Sequence, residues 1–174
     1  MGNKNGPGSG LRGQLWSMDI AFSITMFLLI FVFVFFAISR VGEDYNTNKQ
    51  IYEMNMLALS ISDYLVRRPG IPAEWNRSNV EVIGLAREEN ILDRGKVNEM
   101  MSMGYDELKK ALGTGNYEAY IELTYLNSSI VKNETGYDIV AGQKPNNASY
   151  VAVNERYCIY EGKIVRLRLT VWKT

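Results

Sequence analysis

An uninterrupted apolar run near the start of the chain is the strongest pattern in the sequence. From Ile20 to Ser39 the chain reads IAFSITMFLLIFVFVFFAIS and contains no charged residue. At 1.5 Å per residue, such a helix would extend about 30 Å, the thickness of the hydrocarbon core of a bilayer. A core helix of a soluble domain is the alternative, but such a helix is rarely apolar on all faces over this length. The run therefore predicts one transmembrane helix.

A second helical pattern follows the apolar run. Between Val41 and Leu65, apolar residues recur at spacings near three and four, which is typical of a helix with one buried face. Arg67-Arg68 suit a helix C-terminus, where the dipole favours cations, and Pro69-Gly70 would then end the helix. Two interpretations stay open at Gly42: a bend in one continuous helix, or a break before a separate amphipathic helix.

The next part of the chain predicts a mixture of a short strand and helices. Asn79–Leu85 suits a short strand. Ile91–Leu112 has a helical pattern in one or two pieces, divided near Gly104, and Gly113 is a plausible stop.

The C-terminal part changes to a period of two, which indicates strands. Tyr117–Tyr125 alternates, Asn127–Lys132 is a turn-rich link, and Tyr150–Tyr160 with Lys163–Lys173 predicts a hairpin around Glu161-Gly162. On the last strand, one face carries Arg166, Arg168 and Thr170, and the other carries Val165, Leu167, Leu169 and Val171. We expect an antiparallel sheet whose apolar face packs on the N-terminal helix.

Composition and charge narrow the possible functions. The formal net charge is zero, which gives no electrostatic basis for nucleic-acid binding, and the chain has no histidine. His-dependent nucleophiles and His-based zinc sites are therefore excluded. The single cysteine, Cys158, forms no internal disulfide; a small core residue in a strand is favoured over a surface thiol or an intermolecular bridge. Neighbouring carboxylates such as Glu88-Glu89 and Asp106-Glu107 suit a solvated face. We expect no enzyme activity, metal or cofactor.

The segment before the apolar run allows three kinds of processing. Residues 1–13, MGNKNGPGSGLRG, are rich in Gly, Asn and Ser, and we expect them to be disordered. One hypothesis is an uncleaved signal anchor. Another is a secretory signal peptide cut near Ala37-Ile38-Ser39, although the apolar run is longer than the usual h-region. The third hypothesis depends on Gly13-Gln14.

The sequence RGQLWSMD, followed by the apolar run, resembles the class III signal peptides of archaeal type IV pilins and archaellins. In that family a prepilin peptidase cuts ahead of the hydrophobic segment, commonly at Gly/Ala–Gln, and the helix becomes the filament core. The resemblance implies cleavage between Gly13 and Gln14. It also implies that Asp19 is the acid that can pair with a subunit's N-terminal ammonium, although Asp19 would be the sixth mature residue and the family's acid is typically the fifth. The alternative for Asp19 is an interfacial acid beside Trp16.

A weaker likeness extends into the rest of the chain. The motifs GIPAEW (Gly70–Trp75) and VIGLA (Val82–Ala86) and the closing Val171-Trp172 are similar to those of archaeal pilin-like membrane proteins. This likeness implies a pilin arrangement, in which a long hydrophobic helix packs against a C-terminal sheet head.

Glycosylation sequons indicate the orientation of the chain in the membrane. Basic residues on the two sides of the apolar run are nearly balanced, so the positive-inside rule does not decide. The motif N-x-[ST] occurs at Asn76, Asn127, Asn133 and Asn147, all after the run. Each Asn could simply be a turn residue. The functional interpretation is a glycosylated domain outside the cell.

Together these features predict a leader (1–13), a transmembrane or filament-core helix (14–40), a helix continuing out of the membrane (41–68) and an extracellular α+β head (69–174). The function hypothesis is a membrane-anchored archaeal pilin-like subunit that assembles into a type IV pilus-like surface structure. Its expected partners are membrane lipid, prepilin peptidase, other pilin-like subunits and the pilus assembly machinery, with no nucleic acid. The alternative is a signal-anchored cell-surface glycoprotein that binds a partner and does not assemble.

Overall fold

The computed structural model describes the backbone of residues 10–173, and their side chains except those of residues 10–17, 41–44 and 46. The described residues divide into two units, the first ending at Asn48 and the second beginning at Lys49. The elements in chain order are α1 (Gly10–Arg67), β1 (Gly70–Ile71), β2 (Val82–Ile83), β3 (Ala86–Glu88), β4 (Ile91–Leu92), α2 (Arg94–Ser102), α3 (Tyr105–Leu112), β5 (Glu118–Thr124), β6 (Val140–Gly142), β7 (Tyr150–Tyr160) and β8 (Lys163–Lys173). The predicted α+β class, with an apolar N-terminal helix and a C-terminal sheet, is confirmed.

Helix α1 is continuous over 58 residues. It passes Gly42 without a break, so the alternative of a separate second helix is wrong. Residues 10–13, which we expected to be disordered, also belong to α1, because Leu11, Arg12 and Gln14 all favour helix and no proline interrupts them. Residues 1–9 of the predicted leader lie outside the described residues.

The C-terminal end of α1 is fixed by backbone hydrogen bonds within the second unit. The N–H of Leu85 donates to the carbonyl of Leu65 at 2.9 Å, and the N–H of Asn90 donates to the carbonyl of Val66 at 2.8 Å. The last four carbonyl oxygens of a helix accept no hydrogen bond from within the helix. The chain between β2 and β4 therefore caps α1.

The motifs GIPAEW and VIGLA meet at one buried indole. Trp75 is only 4% exposed, and its Nε1–H lies 2.9 Å from the carbonyl oxygen of Pro69 and 2.8 Å from that of Gly84. A Cβ on Gly84 would collide with the carbonyl oxygen of Arg68, so only glycine permits this close approach of the two segments. The motifs thus hold the chain against the end of α1.

The predicted helical region after the motifs forms two helices. They are divided at Gly104, as expected, and the N–H of Gly104 donates to the carboxylate of Glu107 at 3.0 Å. Gly113 ends α3 in the left-handed conformation, at φ 69°, which agrees with its predicted role.

All five short strands differ from the prediction. The strand predicted over Asn79–Leu85 is restricted to β2, and Ile91-Leu92, predicted to be helical, form β4. β4 pairs in parallel with β7 through Ile91 and Ile159. β1, β3 and β6 were not predicted, because two or three residues are too few to show a period of two.

The larger sheet has the strand order β3-β4-β7-β8-β5-β6, and all its pairs except β4–β7 are antiparallel. The predicted hairpin is confirmed: β7 and β8 pair continuously from Tyr160↔Lys163 to Tyr150↔Lys173. Its turn residues, Glu161 and Gly162, both have positive φ, 50° and 74°, which suits a two-residue hairpin loop.

One face of this sheet forms a core with the C-terminal part of α1. On β8 the predicted apolar face is fully buried, at 0% exposure for Val165, Leu167, Leu169 and Val171. Helix α1 contributes Met54, Ala58, Ile61, Leu65 and Val66. The predicted core position of Cys158 is confirmed at 3% exposure.

The opposite face of the sheet is mixed in character. Arg166 and Arg168 lie on this face, as predicted, but exposed Val151 and Ile164 lie there too. Thr170 shares the face and is only 6% exposed, because it lies in a central strand between Tyr120 of β5 and Val153 of β7.

Candidate membrane segment and external sites

A long apolar surface is exposed on the first unit. The segment Met18–Arg40 is helical, is long and apolar enough to cross a membrane, and has none of its apolar stretch buried. The least exposed large apolar side chain is Val34, at 45%, and Phe33 reaches 75%. Apolar surface of this extent is unfavourable in water and needs an apolar environment. The segment is therefore suited to a membrane, as an anchor or as a signal sequence.

Two hydroxyl groups inside this segment, those of Thr25 and Ser39, are adapted to an apolar solvent. Thr25 Oγ1 donates to the carbonyl of Ala21 at 2.8 Å, and Ser39 Oγ donates to the carbonyl of Phe35 at 2.9 Å. Each hydroxyl donates to a backbone carbonyl of the preceding helical turn, so the hydroxyl hydrogen needs no water as a partner. These hydroxyls therefore do not oppose burial of the helix in lipid.

The positions implied by the pilin resemblance all lie in α1. Gly13 and Gln14 are helical residues near its start, and their side chains are outside the described set. Asp19 is exposed, and among the described residues it makes no ion pair. It lies one residue inside the Met18–Arg40 segment. An N-terminal ammonium partner for Asp19 remains a prediction.

Three of the four sequons form the same local turn. The side-chain oxygen Oδ1 of Asn76 accepts from the N–H and the Oγ–H of Ser78, at 2.9 and 2.6 Å. Asn127 Oδ1 accepts from the corresponding groups of Ser129 at 3.0 and 2.7 Å. In each case the third residue of the sequon supplies both donors, as in an Asx turn.

Asn133 makes the fullest version of this turn. Its Oδ1 accepts from the N–H of Thr135 at 3.1 Å, from the Oγ1–H of Thr135 at 2.7 Å and from the N–H of Tyr137 at 2.9 Å. Asn133 is half-buried, whereas Asn76 and Asn127 are exposed. All three hydrogen bonds are to Oδ1, and none uses the Nδ2 amide group.

Asn147 differs from the other sequon residues. It is exposed and has a positive φ of 52°. The N–H of Ser149, the third residue of this sequon, donates to the carbonyl of Lys173 at 2.9 Å. The donor that would form an Asx turn is therefore engaged by the last residue of β8 instead.

Two carboxylates on the face of the sheet that carries Arg166 and Arg168 are held by these arginines. Glu155 accepts from Arg168 Nε at 2.7 Å and from Arg166 Nη1 at 3.2 Å, and Arg168 Nη1 also donates to Glu122 at 2.9 Å. The hydrogen bond from Arg168 is the main cause that lowers the pKa of Glu155. This carboxylate stays charged near neutral pH and acts as an ion-pair partner rather than a proton donor.

A second cluster joins α3 to β5. Glu118 accepts from Lys109 Nζ at 2.8 Å and from the hydroxyl of Tyr105. The hydrogen bond from Lys109 is the main cause that lowers the pKa of Glu118, and burial raises the pKa of Tyr105 to about 12. Among the residues whose side chains the structure describes, no group of three or more His, Cys, Asp or Glu is arranged to hold a metal ion.

A structural lysine was missed by the sequence analysis. Lys96 is only 8% exposed, and its ammonium donates to the carbonyl of Pro69 at 2.8 Å, just after α1 ends. A cation at this place suits the negative end of the helix dipole. The pattern of α2 contains no signal for it, because the partner lies 27 residues away in sequence.

Comparison with known proteins gives one assignment. No curated protein matches the chain, and neither does any solved structure. A family model does match, over residues 10–172, and it spans both the apolar helix and the sheet. The chain belongs to DUF7287, a family of unknown function.

Proposed function

We propose that this protein is an archaeal type IV pilin-like subunit. It is processed between Gly13 and Gln14, is held in the cell membrane by the Met18–Arg40 helix, and carries its sheet domain outside the cell. Its hydrophobic helix then packs with those of like subunits in a pilus-like surface structure. The observation that carries the proposal is the fully exposed apolar helix directly preceded by RGQLWSMD.

The apolar helix is stable in two kinds of environment. An exposed apolar helix is stable in lipid, and it is also stable among other apolar helices that exclude water. A filament subunit needs both environments, first in the membrane and then in the filament core. The hydroxyl-to-carbonyl bonds of Thr25 and Ser39 suit both, since neither bond requires water.

Peptide mass mapping of the membrane-associated protein tests the processing step. Expressed in an archaeal host with its prepilin peptidase, the wild-type protein should begin at Gln14. Gly13→Val should retain the leader, because a branched side chain replaces the small residue at the scissile bond. Gly10→Val is the matched control, since it makes the same change outside the cleavage site and should be processed normally. A wild-type protein that still begins at Met1 or Gly2 contradicts this step.

Electron microscopy of overexpressing cells tests assembly. Filaments that contain this chain should form when the pilus assembly ATPase is present and be missing when it is deleted. Equal membrane levels of the protein in the two strains serve as the control. Correct processing without filaments in either strain contradicts assembly while leaving the membrane anchor intact.

A second candidate is a signal-anchored surface glycoprotein that binds a partner and never assembles. The sequon turns at Asn76, Asn127 and Asn133 favour an external glycoprotein, and such a protein would need only the membrane helix. The filament experiment separates the two candidates. The surface glycoprotein would stay in the membrane, processed or unprocessed, and its location would not depend on the assembly ATPase.

A further inference from the structure

The four sequons are equivalent in sequence but not in structure. The difference concerns the two donors of the third residue, its backbone N–H and its hydroxyl. At Asn76, Asn127 and Asn133 both donors contact Oδ1. At Asn147 the backbone donor is engaged by Lys173.

The Oδ1 donors matter for the reactivity of the side-chain amide. The amide nitrogen is a weak nucleophile because its lone pair is delocalised toward Oδ1. When Nδ2 loses a proton during glycosyl transfer, negative charge develops on Oδ1. Hydrogen-bond donors already aimed at that oxygen stabilise this charge at no cost of reorganisation, in the same way as an oxyanion hole. The turn also holds the third residue's hydroxyl beside the amide, so both groups reach an enzyme together.

We propose that N-glycosylation of this protein is selective: Asn76, Asn127 and Asn133 are modified and Asn147 is not. In the step, Nδ2 attacks the anomeric carbon of a lipid-phosphate-linked oligosaccharide. The N–C bond forms, the bond between that carbon and the phosphate oxygen breaks, the lipid phosphate leaves, and one Nδ2 proton passes to a base of the transferase. This inference rests on the external placement of the sheet domain proposed above.

Exposure alone gives the opposite ranking for two of these sites. Asn147 is exposed and Asn133 is half-buried, so a rule based only on access would favour Asn147. The turn geometry favours Asn133, which has three donors on Oδ1. The comparison of Asn133 with Asn147 therefore separates the two explanations.

Glycopeptide mass spectrometry of the full-length protein from a glycosylating archaeal host provides the test. A flexible C-terminal tag carrying one extra Asn-Gly-Thr sequon reports whether the C-terminal side reaches the transferase. The expected result is glycan on the tag and on the three turn sequons, with Asn147 unmodified. Glycan on Asn147 at an occupancy equal to or above that of Asn133 overturns the inference.

Failure of the inference differs from failure of the external placement. A glycosylated tag with the three turn sequons bare overturns the site selection and leaves the placement standing. A bare tag together with four bare sequons, in a host that glycosylates its own surface proteins, overturns the external placement.

Three matched reagents show whether the fold is the cause. Asn133→Asp keeps an Oδ1 acceptor for the turn but lacks Nδ2, so it should fold normally and lose one glycan. Ser149→Thr keeps the sequon and should leave Asn147 bare, because its N–H still pairs with Lys173. A synthetic peptide of residues 143–151 has no sheet to engage that N–H, and it should accept glycan in vitro. Glycan gained in Ser149→Thr, or refusal of the peptide, contradicts a fold-based selection.

Discussion

The membrane segment can be tested by adding charge to its centre. Between Ile20 and Ser39 the chain has four Ile, two Leu, two Val and six Phe. Each contributes about −0.3 to −0.6 kcal/mol to insertion when it is central. These fourteen residues therefore favour insertion by about 4 to 8 kcal/mol, an upper range since the terminal ones contribute less.

This insertion free energy predicts how many charged residues the segment tolerates before it fails to insert. One central Arg costs about 2.5 to 3.5 kcal/mol, so Phe31→Arg alone should leave the protein integrated in the membrane. The triple variant Leu28→Arg, Phe31→Arg, Phe35→Arg costs about 8 to 10 kcal/mol and should not insert. The conservative triple variant Leu28→Phe, Phe31→Leu, Phe35→Leu is the control and should behave as wild type.

Alkaline carbonate extraction of membranes is the assay, carried out in a strain without the assembly ATPase so that filaments do not interfere. The pellet should retain the wild-type protein, the single variant and the control, and the supernatant or a degradation product should contain the triple Arg variant. Retention of the triple Arg variant in the pellet would refute the assignment of this segment as the membrane span. Loss of the single variant would refute the calculated margin.

Three further predictions concern the second unit, measured on the full chain in detergent micelles. Trp75→Phe removes the N–H donor to the carbonyls of Pro69 and Gly84. Chemical denaturation should show a free energy of unfolding lower by about 1 to 3 kcal/mol. An unchanged denaturation midpoint would contradict the role of the indole in joining these two segments. Leu167 is 0% exposed, so Leu167→Ala should lower the free energy of unfolding by about 2 to 5 kcal/mol. A smaller loss would contradict the close packing of this side chain in the core. Burial raises the pKa of Cys158 from 9.0 to about 12. Between pH 9 and 12 only the thiol of the unfolded protein ionises, so the free energy of unfolding should fall as the pH rises through this range. Iodoacetamide should label Cys158 at pH 8 only after denaturation, and rapid labelling of the native protein would contradict its burial.

Elements with a long, local pattern were predictable from the sequence. The hairpin of β7 and β8 has 11 residues in each strand, β8 alternates clearly from Val165 to Val171, and Glu161-Gly162 supply the backbone conformation that its turn needs. The helix of the membrane segment is equally clear, because its composition depends on the solvent rather than on contacts with the rest of the chain.

Elements that depend on distant partners were not predictable. β4 has two residues, and its pairing with β7 joins Ile91 to Ile159, so no window of local sequence contains the cause. The burial of Thr170 between Tyr120 and Val153 has the same origin, since alternation placed this residue on the same face as Arg166 and Arg168 but did not show its neighbours. In both cases tertiary contacts overrode the local preference.

The candidate sites were also predictable only in part. The sequon motif identified Asn76, Asn127, Asn133 and Asn147 alike. The distinction between them depends on where the N–H of the third residue donates, and at Ser149 that acceptor, the carbonyl of Lys173, comes from β8. The geometry of a sequon therefore required the sheet register, which sequence alone does not specify.

We propose that this chain is a processed subunit of a surface filament. Mass spectrometry of filaments sheared from the cell surface and purified away from membranes tests this proposal directly. We expect this chain to be present in the filaments, with Gln14 as its first residue. Recovery of the chain only in the membrane fraction, with an intact residue 1–13 leader, would contradict it.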